Sequence, residues 1–187
     1  MRSPYNFIVE PLYKRRYDNI KKIGETELIT SVSKEDHIAS NRLAKVIALP
    51  INYKGPVKEG DTLLVHHNVF KFYYDMYGRE KSGRSFLKDD LFLVDHEQFF
   101  LYKQNGKWKA YGKYCFVKPI GLEDSYIFKG GNEEPLYGTI KYINQELLDL
   151  GVKEGDKISF QPESEYPFTV DEEKLYRMFT NNITMIV

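Results

Sequence analysis

The sequence has few of the residues that form disulfides or metal sites, and no long apolar run. Cys115 is its one cysteine, so an intrachain disulfide and a zinc site built on several cysteines are both excluded. The 27 basic and 27 acidic side chains cancel, which leaves no long-range field to attract nucleic acid or an anionic membrane. No apolar run approaches the roughly 20 residues of a membrane-spanning helix, and the first residues lack the apolar stretch of a signal peptide. We therefore expect a cytoplasmic protein that binds neither nucleic acid nor membrane.

Alanine is scarce and aromatic residues are abundant, and both favour strands over helices. The chain has four Ala against 15 Tyr and 12 Phe, and aromatic side chains suit the half-buried surface of a sheet. Short strand-like runs recur between Gly and Pro residues, and no helical period of 3.6 residues is sustained. Between two of these runs, Asn105-Gly106 predicts a tight hairpin turn, since both residues tolerate positive φ. These patterns predict an all-β fold.

An internal repeat is visible in the sequence. Residues 57–61, Val-Lys-Glu-Gly-Asp, recur identically at 152–156, and a β-rich run follows each copy. Two further pairs of similar segments occur in the same order: residues 7–12 with 115–120, and residues 94–97 with 170–173.

The spacing of these pairs predicts two unequal copies of one domain. The members of the three pairs, in chain order, lie 108, 95 and 76 residues apart. The second copy is therefore shorter by 13 residues in one connection and by 19 in the next. We predict one domain at 1–110 and a second at 111–187, with a single β-domain and a coincidental turn as the alternative.

Two long connections distinguish the first copy. Residues 13–42 are polar and charged with sparse apolar residues, which predicts a long mobile loop. Loops of this length in compact domains are usually functional or disordered. Residues 69–90 form an aromatic insertion without a counterpart in the second copy. We expect its aromatic side chains to serve as core or interface.

The order of elements in each copy resembles the GroES-like co-chaperonin (chaperonin-10) family. A strand, a long loop, a strand, a Val-Lys-Glu-Gly-Asp turn opening a strand and an acidic turn between closing strands follow one another twice. The resemblance implies two tandem small β-barrels. It also implies a homo-oligomeric ring that caps a GroEL-type chaperonin and assists protein folding, with no enzymatic activity and no cofactor.

In this family an apolar segment of the mobile loop docks into a groove of the chaperonin. Leu28 and Ile29 resemble the family's apolar pair, while Glu27 stands where a third apolar residue is usual. Ordinary packing against the barrel is the alternative role for such segments. The residues that the resemblance assigns to chaperonin binding are Ile20, Ile23, Leu28 and Ile29 in the first copy and Tyr126, Ile127 and Phe128 in the second.

The chain departs from the bacterial members of that family in one respect. Residues 49–56 and 144–151 are too short for the hairpin that forms the roof of the ring. Phage-encoded co-chaperonins are similar in this, so a phage origin, with action in the host cytoplasm, is consistent with the sequence. In this family the last strand of one subunit pairs with the first strand of the next. For this chain the resemblance therefore implies that residues 183–187 pair with residues 5–10 of the next chain.

Chemical motifs do not stand out. His66 and His67 are adjacent on a predicted strand, so we expect their side chains on opposite faces, unable to share a metal. Cys115 lies in an apolar strand, where burial would make it inert. Two other functions stay open: a virion or scaffold protein that uses the barrel as an interaction module, and a nucleic-acid-binding barrel suggested only by the aromatic residues.

Overall fold

The computed structural model describes residues 1–17, 20–23, 26–29, 40–121 and 133–187. It consists mostly of β-strand with almost no helix, which confirms the predicted all-β class. The chain divides into two compact units, Met1–Lys107 and Trp108–Val187. The sequence-based boundary follows residue 110, three residues beyond this division. No helix in the described ranges is long and apolar enough to cross a bilayer.

The strands in the first part of the chain are β1 (Phe7–Pro11), β2 (Ile20–Ile23), β3 (Thr26–Ile29), β4 (Leu43–Ala48), β5 (Thr62–Val65), β6 (Phe72–Tyr74), β7 (Glu80–Ser82), β8 (Phe86–Lys88), β9 (Leu91–Val94), β10 (Phe99–Gln104) and β11 (Lys107–Ala110). The first sheet has seven of them in the order β11-β10-β5-β4-β1-β9-β8, and two separate hairpins, β2–β3 and β6–β7, accompany it. A short 3-10 helix follows β1 at Leu12–Lys14.

The second sheet has six strands. It also carries one helix, α1 (Gln145–Asp149), and a 3-10 helix at Thr180–Asn182. Its strands are β12 (Tyr114–Gly121), β13 (Glu133–Tyr142), β14 (Lys157–Phe160), β15 (Tyr166–Val170), β16 (Glu173–Phe179) and β17 (Ile183–Ile186), in the order β15-β16-β12-β13-β14-β17.

The two sheets share one strand order. Six strands of the first, β8-β9-β1-β4-β5-β10, correspond one by one to β15-β16-β12-β13-β14-β17. In each unit the first strand is central and lies antiparallel to both of its neighbours. The internal likeness seen in the sequence is therefore also a likeness of strand pairing.

Two β-bulges occur at equivalent places in the two sheets. The pairing of β1 with β4 skips Ile47, and the pairing of β12 with β13 skips Lys141. Likewise, the pairing of β10 with β5 skips Phe100, and the pairing of β17 with β14 skips Thr184. A bulge inserts one residue at a defined position and bends the strand there. Equal bulges at equivalent positions support a common framework.

The repeated Val-Lys-Glu-Gly-Asp segments form the same turn. The carboxylates of Asp61 and Asp156 each accept a backbone N–H from the residue three positions earlier, both at 2.8 Å. Gly60 and Gly155 have φ angles of 90° and 93°, values that favour glycine. The prediction of a turn at both places is confirmed.

Strand pairing corrects the third match of the sequence repeat. Residue 94 was matched with residue 170, but Val94 pairs with Phe7 of β1 while Met178 pairs with Cys115 of β12. Strand β9 therefore corresponds to β16, which lies 84 residues further along. The match was wrong because acidic turns look alike locally, whereas equivalence depends on which strands pair. By the same pairing β8 corresponds to β15. The insertion therefore lies between β5 and β8, within residues 66–85, and not at residues 69–90.

Neither sheet closes into a barrel in the part of the chain that the structure describes. The first sheet ends at β11 and β8, and the second ends at β15 and β17. The expected loop at 13–42 also contains regular structure, since β2 and β3 form a hairpin within it. The Asn105-Gly106 turn is confirmed, because both residues adopt the left-handed backbone with φ angles of 49° and 77°.

Aromatic rings pack against one another in the cores of both units. In the N-terminal unit Phe7 meets Phe99 edge-to-face at 5.2 Å between ring centroids, and Phe70 meets Phe92 at 4.9 Å. In the C-terminal unit Phe116 and Phe168 are buried and meet edge-to-face at 5.8 Å. Edge-to-face contacts of this kind stabilise beyond the burial of area alone. One core cluster of the C-terminal unit contains Cys115, Val117, Ile140, Leu147, Val152, Ile158, Phe160 and Met178.

Candidate functional site

The connection that leaves the central strand of each unit contains every residue predicted to bind a chaperonin. In the N-terminal unit it joins β1 to β4, and in the C-terminal unit it joins β12 to β13. Ile20 and Ile23 lie on β2, and Leu28 and Ile29 lie on β3. The antiparallel register places Ile20 opposite Ile29 and Leu28 opposite Lys21. The backbone thus brings both predicted pairs into one short hairpin.

The second predicted set, Tyr126, Ile127 and Phe128, lies outside the described residues. The described chain resumes at Glu133, whose Cα is the register partner of Gly121. The two ends of this connection are therefore held side by side by the β12–β13 ladder.

Asn41 ties together the two ends of the N-terminal connection. Its backbone N–H donates to the carbonyl of Arg16 at 3.0 Å, and its side-chain amide donates to the carbonyls of Leu12 and Arg15 at 3.1 and 2.5 Å. Its Oδ1 accepts the N–H of Leu43 at 2.9 Å. The side chain is buried, so these bonds satisfy an amide that would otherwise be costly to desolvate. No local pattern in the sequence singles out Asn41, since its partners are distant or irregular backbone.

Residues in the first part of this connection also contact the insertion. The Arg16 guanidinium stacks on the ring of Phe72 at 4.2 Å from the centroid, a favourable cation–π geometry. The Tyr17 hydroxyl accepts the N–H of Phe72 at 3.5 Å, and Tyr17 forms an isolated β-bridge with Ser40. The ends of the β2–β3 segment and the base of the β6–β7 hairpin therefore lie together.

Charged side chains surround the end of the C-terminal connection. Burial alone would raise the pKa of Glu133, but hydrogen bonds from Lys174 and Tyr176 outweigh it and hold that pKa below its ordinary value. The same contacts raise the pKa of Lys174. Each partner thus stabilises the charged form of the other at neutral pH. The position of Glu133 beside the connection was not predicted from the sequence, because the three residues meet only through strand pairing.

A second carboxylate bridges two lysines on the same sheet. Glu173 contacts the ammonium of Lys118 at 2.7 Å and that of Lys141 at 2.9 Å. Hydrogen bonds from both lysines lower its pKa, so it stays ionised. This carboxylate holds lysines of neighbouring strands together, and it does not exchange protons near neutral pH.

The described residues contain no group of three or more metal-ligating side chains. One expectation about histidine is wrong: the rings of His66 and His67 are 4.1 Å apart, not on opposite faces. The reason is that β5 ends at Val65, so the alternation of a strand does not extend to them. Cys115 has no exposed surface, and burial raises the pKa of its thiol to about 12.

No protein-family model matches this chain, and no curated protein is significantly similar to it. The family resemblance therefore rests on the sequence motifs and their order.

The outer edge of β17 is the remaining feature that bears on assembly. This strand ends its sheet, and Met185, Ile186 and Val187 are 58%, 55% and 66% exposed. The predicted partner, residues 5–10 of a neighbouring chain, lies largely in β1. Ile8 and Val9 are already paired on both sides, with β4 and with β9, so these two residues have no ladder positions left for a neighbouring chain. The residues before Phe7 carry no strand of their own.

Proposed function

We propose that this protein is a tandem co-chaperonin of the GroES type, which caps a GroEL-type chaperonin ring and assists protein folding. It would act in the cytoplasm, or in the host cytoplasm if a phage encodes it. The observation that carries the proposal is the doubled architecture. Both units have one strand order and equivalent bulges. In both, a connection that contains apolar residues follows the central strand.

The proposed mechanism is reversible contact without bond chemistry. A segment that becomes ordered only on binding loses conformational entropy at that moment, so each contact is weak and easily released. Several such segments on one assembly raise the apparent affinity through effective concentration. Ile20, Ile23, Leu28 and Ile29 would supply the contact of the first unit, and Tyr126, Ile127 and Phe128 that of the second. No cofactor or catalytic residue is required.

A ring would need contacts between chains, and the edge of β17 is suited to make them. An exposed apolar edge strand offers unpaired N–H and C=O groups to another strand. Because Ile8 and Val9 at the centre of β1 are paired on both sides, we assign the partner to the segment before Phe7 of the next chain.

The second candidate is a virion or scaffold protein that uses the same fold as a structural module. The edge of β17 also favours this role, since strand addition to an apolar edge suits a permanent assembly. The two candidates differ in their need for a chaperonin.

Co-purification with a bacterial chaperonin in the presence of ATP tests the proposal. We expect the intact chain to bind, and a variant lacking residues 18–36 and carrying Ile127→Ser and Phe128→Ser to lose binding. The control variant carries Leu148→Ser and Leu150→Ser, which remove apolar side chains that are 47% and 70% exposed and lie outside both connections. It should bind as the intact chain does.

Two results would contradict the proposal. Unchanged binding by the deletion variant would show that the connections are not the docking elements. Failure of the intact, folded chain to bind would favour the structural role in a virion or scaffold.

A further inference from the structure

The β6–β7 hairpin presents an apolar surface to solvent, and we call it the aromatic hairpin. The register pairs Tyr73 with Lys81 and Tyr74 with Glu80. Its exposed side chains are Tyr73 (50%), Tyr74 (45%), Met76 (89%) and Tyr77 (74%). Adjacent strand residues point to opposite faces, so both faces of the aromatic hairpin carry a partly exposed tyrosine ring.

The fold does not require this hairpin. The equivalent connection of the C-terminal unit, between β14 and β15, is residues 161–165, a short polar segment of sequence Gln-Pro-Glu-Ser-Glu. Both units nevertheless build the same strand order. The extra residues within 66–85 are thus an elaboration, and elaborated surface connections commonly carry binding functions.

The tip of the aromatic hairpin is rigid because Asp75 organises it. The Asp75 carboxylate accepts the N–H groups of Tyr77 and Arg79, each at 2.9 Å, and the Arg79 Nε at 3.2 Å. The Asp75 carbonyl accepts the N–H of Gly78, and its own N–H donates to Arg79. A two-stranded hairpin is marginal in water by itself. This network therefore holds exposed rings in one arrangement and lowers the entropy lost when they bind.

The base of the hairpin is fixed in the core of the N-terminal unit. The ring of Phe72 packs edge-to-face against Phe86 at 5.4 Å. A Cβ at Gly83 would lie 2.5 Å from the carbonyl oxygen of Lys71, so the two strands approach too closely for any other residue there. Arg16 and Tyr17, at the start of the β2–β3 segment, contact Phe72 on the same side.

The residue types at the tip are those of an interface centre. Tyr, Met and Arg are enriched in such centres, and the Arg79 guanidinium lies 5.0 Å from the ring centroid of Tyr77. Arg79 and Lys81 are 67% and 50% exposed, but both contact the carboxylate of Asp75, so their charge is compensated within the hairpin. The complementary surface is therefore mainly apolar.

We propose that the aromatic hairpin is a second contact with the chaperonin that binds the β2–β3 segment, resting on an apolar surface of that protein. This inference rests on the proposed function. Because Arg16 and Tyr17 contact Phe72, a partner bound at the β2–β3 segment is brought next to the aromatic hairpin. Two contacts with one partner then strengthen each other through effective concentration.

The test measures the affinity of a bacterial chaperonin for three forms of the full chain in the presence of ATP. One variant carries Tyr73→Ser, Tyr74→Ser, Met76→Ser and Tyr77→Ser, and the Leu148→Ser, Leu150→Ser variant serves as the matched control. Both remove exposed apolar side chains, so thermal unfolding of each should match that of the intact chain. We expect the hairpin variant to bind at least about 10-fold more weakly and the control to bind normally.

The outcomes separate this inference from the proposed function. If the intact chain binds and the hairpin variant binds equally well, the aromatic hairpin is not a contact, although the co-chaperonin function stands. If the intact chain does not bind the chaperonin, both proposals fail. Weaker binding of the folded hairpin variant alone supports the second contact.

Discussion

Cys115 lies on β12 with no exposed surface, packed among the side chains that form the core of the C-terminal unit. Because a thiolate there would lose its hydration, burial raises the pKa of the thiol to about 12 from an ordinary value of 9.0. A thiol with such a pKa is a poor nucleophile and a poor metal ligand near neutral pH. This agrees with the inert role inferred for it from its apolar strand.

The Cys115 thiol also makes stability depend on alkaline pH. The folded protein keeps the proton up to about pH 12, whereas the unfolded chain releases it near pH 9. Stability from this group is thus complete below pH 9 and is lost as pH rises from 9 towards 12, by up to about 1.4 kcal/mol per pH unit. Urea unfolding of the intact chain should therefore show a steeper loss above pH 9 than that of the Cys115→Ala variant. Equal slopes would contradict the prediction, and below pH 9 the difference between the two proteins should be constant.

The turn that opens β5 and β14 is the element that repeats most closely. In both copies the backbone N–H of the glycine donates to the strand before the turn at 2.8 Å, at Val46 and at Ile140. One difference separates them: the carboxylate of Asp61 also accepts the side-chain amide of Gln104 at 2.8 Å. The same local geometry therefore carries one additional contact in the first unit.

Substitution of the two turn carboxylates should reveal this pairing. We expect Asp156→Ala to lower the free energy of unfolding by about 1 kcal/mol, because a backbone N–H loses its partner. Asp61→Ala should lower the free energy of unfolding by more than Asp156→Ala does, since it also removes the contact with Gln104. Urea unfolding measures both, and Glu59→Ala and Glu154→Ala, at exposed positions of the same turns, should change stability by less than about 0.5 kcal/mol. A loss confined to one of the two turns would show that they are not equivalent elements.

At the scale of the whole molecule, two open sheets leave strand edges that a closed barrel would not have. The edge of β17 exposes apolar side chains, and natural proteins usually protect such edges by charge, by a cover or by pairing. Met185 and Ile186 provide no charge. Pairing with another chain is the protection that agrees with the proposed ring.

Light scattering should therefore give a mass above the 22.0 kDa of one chain. The variant Met185→Lys, Ile186→Lys places two positive charges on the edge of β17, and we expect its mass to shift towards that of a single chain. Leu148→Lys, Leu150→Lys adds the same charge elsewhere and should leave the mass unchanged. A monomeric intact chain would contradict the assembly.

The sequence predicts some residues of the candidate site, but it does not predict others. The apolar residues on β2 and β3 could be picked out as a pattern, but their arrangement as a hairpin depends on pairing within a charged segment. Asn41 could not be found, since the backbone that it contacts is irregular and distant in the chain. Glu133 could not be found either, since its lysine partner comes from another strand. The sequence shows the aromatic residues of the insertion, but it does not separate those in the core from those on the surface. Phe70 is buried and Tyr77 is exposed, although both belong to one aromatic run.

The sequence by itself determined the all-β class, the Asn105-Gly106 turn and the two repeated turns. These depend on local properties: strand preference, glycine at positive φ, and an aspartate that reaches a backbone N–H three residues away. Only the tertiary structure decided that β9 corresponds to β16, that Ile8 and Val9 of β1 are paired on both sides, and that neither sheet closes within the residues that the structure describes. Those facts depend on pairing between strands far apart in the chain, which no local pattern specifies.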